Sequence, residues 1–169
     1  MEGGRSQRDR HFDGTRNRSR SKGIPASEAA TVGVSDRLLR VVLDTNVVVS
    51  AVLTRGGLES YILRLALNAE IKLYVSPPIL REYSEVLARA KFRLSKGAQQ
   101  QIVAGIECAA VVIAPKPHLL VCSDPDDNMF LECSEVAHAD YLITGNLRHF
   151  PAAWKSTRVV SSRQFLASV

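Results

Sequence analysis

The chain has 169 residues, enough for one domain with a sizeable core, and its hydrophobic (46%) and charged (23%) fractions are ordinary for a globular protein. The formal net charge of +5 is weak evidence for nucleic-acid binding, because residues 1–22 hold seven basic but three acidic side chains and so carry most of it. No apolar stretch approaches the roughly 20 residues that span a bilayer, and the N-terminus lacks the apolar segment of a secretory signal. We therefore expect a cytoplasmic protein with no membrane association.

Residues 1–36 are rich in arginine, serine and glycine and contain almost no apolar side chains before Ile24. Such a segment cannot bury enough surface to offset its ordering entropy, so we predict a disordered basic tail at 1–36 and a folded domain at 37–169. The tail has two interpretations. It is a non-specific RNA-binding arm, or, as we favour, a dispensable extension or the product of a start codon assigned too far upstream.

Segments typical of strands and helices alternate from residue 38 onward. In chain order the hydrophobic pattern predicts strand 40–43, helices 46–53 and 58–69, strand 71–75, helices 79–90 and 95–109, strand 110–113, helix 127–138, and strands 141–143 and 158–160 before a final helical turn. This alternation predicts βαβ units with right-handed crossovers and hence an α/β fold with a mainly parallel sheet.

Three polar segments follow apolar runs and are expected at the carboxyl ends of the strands, where such sheets bind ligands. They are the segment that opens with Asp44, after the first strand; 124–127, shortly after the apolar run 119–121, which we expect to end at the same edge; and 144–146, after strand 141–143.

Asp44 has two interpretations. Aspartate is a good helix N-cap, so the residue alone is as consistent with capping as with catalysis. Thr45 and Asn46 directly behind it favour a site, since three consecutive polar groups at the end of a buried strand exceed what one cap requires. Glu82 follows strand 71–75 by a few residues and is expected near the same edge, although a solvated helix face is the usual explanation for a helical glutamate.

The stretch Ser-Asp-Pro-Asp-Asp-Asn at 123–128 is a dense acidic cluster entering a helix. Complementing the helix dipole accounts for one or two acids, whereas three in four residues repel each other without a cation. Asp127 is the best candidate ligand, because Phe130 and Leu131 fix the inward face of the helix just after it. Asp124 or Asp126 is then its partner or a cap.

Carboxylate oxygens of this kind suit Mg²⁺ or Mn²⁺ rather than zinc. Asn146 offers a further oxygen to a metal or positions a water, or it is a plain turn residue. The histidines and the three cysteines lack metal-ligand spacing, and His149 is the histidine we consider for substrate contact.

Four ordered motifs between about residues 40 and 160 resemble those of PIN-domain ribonucleases, including VapC-type toxins. They are VVLDTNVVVSA at 41–51, PILREY at 78–83, DPDDNMFLEC at 124–133 and ADYLITGN at 139–146. This resemblance implies a three-layer α/β/α sandwich with a mainly parallel central sheet. It also implies Mg²⁺- or Mn²⁺-dependent hydrolysis of single-stranded or structured RNA, a cognate antitoxin protein and a homodimer.

Asp44, Glu82 and Asp127 match the acidic positions of these motifs, so the resemblance implies that they are catalytic and bind metal, with Asp124, Asp126 and Asn146 as further candidate ligands. Many family members carry aspartate at the position of Asn146, whose neutral amide binds a cation less strongly. Groups predicted to position substrate or water are Thr45, Asn46, Ser123, Thr144 and Arg148, and Arg55 and Arg81 are further candidates for binding the RNA backbone.

Two other functions remain open. Asn146 favours a catalytically degenerate PIN-like protein that binds RNA or acts as a scaffold, whereas the retained acids oppose it. A phosphatase of the haloacid dehalogenase type also has a nucleophilic aspartate after a strand, but that class has a second acid two residues later, where this chain has Asn46.

Overall fold

The structure is a computed structural model that describes residues 37–169, so the predicted tail at 1–36 lies outside the described residues. The strands are β1 (Arg40–Leu43), β2 (Lys72–Val75), β3 (Val111–Val112), β4 (Tyr141–Ile143), β5 (Ala153–Trp154) and β6 (Thr157–Val160). The helices are α1 (Thr45–Leu53), α2 (Leu58–Leu67), α3 (Pro77–Leu87), α4 (Lys96–Ala109), α5 (Asn128–Ala137) and α6 (Ser162–Leu166).

The strands form one six-stranded sheet in the order β3-β2-β1-β4-β6-β5. All neighbouring pairs are parallel except β5 and β6, which form an antiparallel hairpin at one edge. β1 is central, and its residues 41–43 are fully buried, which is why it is an unbroken apolar run. Helices flank this mainly parallel sheet, so the predicted three-layer α/β/α sandwich is confirmed.

Helix α5 anchors the core beneath the predicted acidic cluster. It packs on β1, β2 and β4, and Phe130 and Leu131 are fully buried, as the sequence pattern predicts for its inward face. The helix begins at Asn128, after a single 3-10 turn at Pro125–Asp127 whose N-cap is Asp124. The acids 124, 126 and 127 therefore lie on a tight turn at the N-terminus of α5.

The apolar run 119–121, which we expected to end at the carboxyl edge of the sheet, is not a strand. Its backbone bonds to side chains of α5 instead of to a neighbouring strand. The Asn128 side-chain oxygen accepts hydrogen bonds from the N–H groups of Val121 (2.9 Å) and Cys122 (3.0 Å). A buried amide on the helix thus replaces the ladder partner that a strand would have had.

Glu132 holds the same loop one helical turn further along. Its carboxylate, 5% exposed, accepts hydrogen bonds from the N–H groups of His118 (2.6 Å) and Leu119 (2.9 Å). In the sequence, only the spacing of Asn128 and Glu132 indicates that they act together. They are four residues apart and therefore lie on the same, inward face of α5.

Strand β5 was not predicted. It is two residues long and joins β6 through a tight turn in which Lys155 adopts a positive φ of 52°. The turn lacks the Asn-Gly or Asp-Gly pair that marks such hairpins, so the sequence carries no signal for it. Across residues 37–169, none of the helices has the length and apolar character needed to cross a bilayer.

Candidate active site

Asp44 lies where β1 ends and α1 begins. Its N–H donates to the Ile143 carbonyl (2.9 Å), which ties this point to β4. One carboxylate oxygen accepts from the Thr144 hydroxyl (2.5 Å) and the Asn46 side-chain amide (2.6 Å), and the other makes the N-cap bond with the Asn46 N–H (3.4 Å). The N-cap interpretation is therefore confirmed, and the same carboxylate, which is 5% exposed, accepts two hydrogen bonds beyond the cap.

Residues 144–146 lock the segment that carries Asp44. The Gly145 N–H donates to the side-chain oxygen of Asn46 (2.7 Å), and the Asn146 N–H donates to the Thr144 hydroxyl oxygen (2.9 Å). Thr144 is fully buried behind Asp44, so it contacts the carboxylate and not the open cleft. The loops after β1 and β4 thus form one hydrogen-bonded unit that fixes the direction of Asp44.

Gly145 must stay without a side chain for this unit to close. A Cβ there would lie 2.8 Å from the Asn46 side-chain oxygen. We expect Gly145→Ala to displace Asn46, loosen Asp44 and lower the RNA cleavage that the motif resemblance implies about 10-fold or more, with a stability loss of roughly 1 kcal/mol. Activity and urea unfolding measure the two effects.

Gly105→Ala is the matched control for that change, since a Cβ there meets nothing within 4 Å on α4. We expect it to leave activity unchanged and to raise the free energy of unfolding by about 0.5–1 kcal/mol, the usual gain for replacing a helical glycine. Equal activities of Gly145→Ala and the parent would show that the Asn46–Gly145 contact does not position Asp44.

Helix α3 brings Glu82 to the same cleft. The neighbouring Tyr83 is fully buried, and its hydroxyl donates to the Leu43 carbonyl (2.5 Å), which fixes α3 against the end of β1. Burial raises the pKa of Glu82, and the charges of Asp44, Asp127 and Asp126 raise it further, whereas the Thr45 hydroxyl lowers it. Glu82 thus lies close to the other acids, as the sequence analysis expected.

Asp127 pairs with a histidine. Its carboxylate lies 2.8 Å from Nδ1 of His149, which we had considered for substrate contact. Burial is the main cause that raises the pKa of Asp127, and the charges of Asp44 and Asp124 add to it, while His149 lowers it. His149 therefore supports a predicted acid and also lines the cleft.

One cleft of about 370 Å³ collects most of the predicted residues. It is lined by the three acids of the motifs and by Thr45, Asn46, Asp124 and Asn146. Asp126 and Arg81 line a neighbouring cleft of about 840 Å³ instead. Ser123, Arg55 and Arg148 are exposed and line neither cleft.

Among the cleft residues that had not been singled out from the sequence, three lie together just after α3: Arg89, Lys91 and Phe92. The sequence signal that could have identified Arg89 is its spacing from Glu82. Arg89 lies seven residues after Glu82, two helical turns along, and Val86 between them also lines the cleft.

The acids fit a hard divalent cation by their chemistry. Asp44, Glu82 and Asp127 are oxygen donors that face one cleft, and the charge of Asp44 raises the pKa values of both Glu82 and Asp127. Within residues 37–169, however, no three acidic, histidine or cysteine side chains already stand at the spacing of a metal site. Binding a cation would therefore require these carboxylates to draw together.

Ionised acids in this cleft should cost stability in the absence of a cation. Burial raises the pKa of Asp44 even though Thr144 and Asn46 donate to it, so the folded state binds that proton more tightly than the unfolded chain. The destabilisation by the ionised Asp44 carboxylate is complete at pH values above the pKa of Asp44 in the folded protein. It fades as the pH falls from there toward the ordinary pKa of aspartate. We expect Asp44→Asn to melt at a higher temperature than the parent at neutral pH without metal.

The difference in melting temperature should shrink on acidification, because the parent carboxyl then takes up its proton. Adding Mn²⁺ should raise the melting temperature of the parent more than that of Asp44→Asn. Thermal unfolding with a chelator and with Mn²⁺, at neutral and acidic pH, checks both points. A variant that is less stable than the parent at every pH would mean that the hydrogen bonds to Asp44 outweigh its burial.

A family model described as PIN domain matches residues 40–148, a range that contains Asp44, Glu82 and Asp127. The chain belongs to the PIN domain family. The resemblance drawn from four motifs is thereby confirmed, and PIN domains are in general nucleases. This membership opposes the phosphatase interpretation.

A curated protein and a solved structure are also similar to this PIN domain. An uncharacterized protein of Methanocaldococcus jannaschii is 33% identical over 111 residues, which cover 64% of this chain and 71% of that protein. The crystal structure of VapBC2 from Rickettsia felis, bound to a DNA fragment from their promoter, matches with a TM-score of 0.51 and 15% identity over 73% of this chain and 98% of that one. At that identity the second likeness concerns the fold alone.

Proposed function

We propose that this PIN domain is a metal-dependent endoribonuclease that hydrolyses RNA phosphodiester bonds at the cleft of Asp44, Glu82 and Asp127. The observation that carries the proposal is the convergence of these acids, from three separate motifs, on one cleft at the carboxyl ends of β1 and β4. Their raised pKa values support it, because acids gathered at a cost to the fold are typical of functional sites.

The three carboxylates would hold Mg²⁺ or Mn²⁺, which would supply activation of a water and positive charge against the phosphate. Thr144 and Asn46 hold the Asp44 carboxylate in one direction through hydrogen bonds. His149 holds one oxygen of Asp127 through Nδ1. The side chains are thereby oriented before substrate arrives, which lowers the reorganisation needed during reaction.

Asn146 also lines the cleft. Because its side chain is neutral, the cleft carries one negative charge fewer than in family members that have aspartate at this position. This favours a second candidate, a PIN-like protein that binds RNA without cutting it. The electrostatic repulsion among the other acids argues for the nuclease, since a scaffold gains nothing from keeping them together.

We also propose that the protein is the toxin of a toxin–antitoxin pair and acts in the cytoplasm as a homodimer with a cognate antitoxin. Support comes from the shared fold with VapBC2, a complex whose structure includes promoter DNA. Co-expression with the product of the adjacent gene, followed by co-purification and a growth assay, tests this part separately from the chemistry.

The decisive experiment is cleavage of defined RNAs by the purified protein with Mn²⁺, with Mg²⁺ and with a chelator. We expect cleavage that needs a divalent cation and leaves a 5′-phosphate. Binding of RNA without cleavage under all three conditions would support the scaffold function instead.

A further inference from the structure

The segment that follows α3 forms a short, ordered turn at the edge of the cleft. Ala90–Phe92 is a 3-10 turn closed by backbone hydrogen bonds from Phe92 to Arg89 (3.0 Å) and from Arg93 to Ala90 (3.1 Å). Arg89, Lys91 and Phe92 line the cleft that holds the acids, whereas Arg93 does not. Because α3 also carries Glu82, this turn has a fixed position relative to the acidic floor.

The two cations that line the cleft from this segment have no carboxylate partner in the part of the chain that the structure describes. Among residues 37–169, neither Arg89 nor Lys91 lies within ion-pair distance of a carboxylate. An acidic floor repels a polyanion, so a nuclease needs cations near it to hold the phosphates that flank the reacting one. Unpaired guanidinium and ammonium groups on one rim meet this need.

Phe92 lacks the contacts that would make it a core residue. It is half-buried, yet it belongs neither to the hydrophobic core nor to the partly buried apolar side chains that pack on that core. Its ring lies 4.9 Å from Nζ of Lys91, so a cation stands over an aromatic face inside a polar cleft. An aromatic ring next to cations is the arrangement by which proteins bind unpaired nucleobases and their phosphates together.

We infer that Arg89, Lys91 and Phe92 form a substrate-binding rim that holds single-stranded RNA, with the cations on backbone phosphates and Phe92 stacked on one unpaired base. This inference rests on the proposed nuclease function and assigns the residues that would hold the strand beside the acids. A base paired in a duplex cannot stack on Phe92 without first being extruded, so the rim disfavours double-stranded RNA.

Binding can be measured without cleavage by using the full chain with Asp44→Asn, in chelator, and a fluorescently labelled single-stranded oligoribonucleotide. Adding Phe92→Leu, which keeps apolar bulk but removes the aromatic face, should weaken binding about 10-fold. Adding Arg89→Gln and Lys91→Gln should weaken it and reduce the slope of log affinity against log salt by roughly 1.4, as expected for two lost contacts to single-strand phosphates.

Two matched variants test whether these effects belong to the rim. Arg93→Gln removes a cation from the same turn but outside the cleft, and we expect it to bind RNA nearly as the parent does. Phe92→Tyr keeps the aromatic face and should restore most of the affinity lost in Phe92→Leu. Circular dichroism and melting temperature confirm that each variant is folded.

Binding of the same oligoribonucleotide annealed to its complement measures the preference for single-stranded over double-stranded RNA. We expect the parent background to prefer the single strand and Phe92→Leu to lose most of that preference. The inference is overturned by no measurable RNA binding, by equal binding of the rim variants and Arg93→Gln, or by equal affinity of the background for both forms. If the rim variants weaken binding but the unmutated protein never cleaves RNA, the rim stands and the nuclease function fails.

Discussion

Replacing Asp44 with asparagine is expected to reduce Mn²⁺-dependent RNA cleavage by about 100-fold or more while leaving the protein folded. Asparagine keeps the shape of the carboxylate and can still accept from Thr144, whose hydroxyl donates to Asp44 in the parent. The change therefore removes a charge from the cleft without opening a cavity. Initial rates on a defined RNA, with saturating Mn²⁺, measure the effect.

Asp127→Asn should behave in the same way, because its carboxylate lies in the same cleft and comes from a different motif. Glu107→Gln is the matched control, since Glu107 is exposed on α4 and does not line the cleft. Melting temperatures exclude unfolding as the cause of any lost activity. Cleavage at the parent rate by both aspartate variants would refute the proposed site.

Replacing Glu132 with alanine is expected to lower the free energy of unfolding by about 2–4 kcal/mol, the largest stability effect that we predict for a polar residue of this chain. The parent carboxylate accepts from the N–H groups of His118 and Leu119, and both donors lose their partner in the variant. Urea unfolding measures the loss, and amide hydrogen exchange at these two residues locates it.

Glu132→Gln separates the role of the acceptor from that of the charge. Its side-chain oxygen can replace the carboxylate oxygen that accepts from both amides, so we expect at least half of the lost stability to return. Similar instability of the alanine and glutamine variants would mean that the negative charge, and not the two hydrogen bonds, holds the loop. RNA cleavage should fall less in either variant than in Asp44→Asn, because Glu132 does not line the smaller cleft.

The local hydrophobic pattern of the sequence was sufficient to predict most of the fold. The apolar run at 41–43 and the buried face of α5 are visible in the sequence because full burial demands continuous or helically spaced apolar residues. The loop at 119–121 was misjudged for the same reason. Its apolar side chains resemble a strand, but its backbone partners are Asn128 and Glu132, which a one-dimensional pattern cannot assign to it.

For the candidate site, the sequence indicated the acids but not the contacts between elements that surround them. The motifs named Asp44, Glu82 and Asp127 as candidates, and all three line one cleft. Asp44 and Glu82 follow the parallel strands β1 and β2, whose carboxyl ends meet at one edge, whereas Asp127 reaches the cleft on the turn before α5. Sequence spacing did not indicate that Thr144 lies behind Asp44, that His149 pairs with Asp127, or that the turn after α3 borders the cleft. Each of these contacts joins residues of different elements.

The sequence by itself determined the family, the parallel α/β architecture and the acidic residues, because hydrophobic periodicity and short motifs are local properties of a chain. Only the tertiary structure decided which side chains face the cleft, which acid has a histidine partner and where the cations Arg89 and Lys91 border the site. Those features depend on distances between segments far apart in sequence, and such distances exist only after the sheet has assembled.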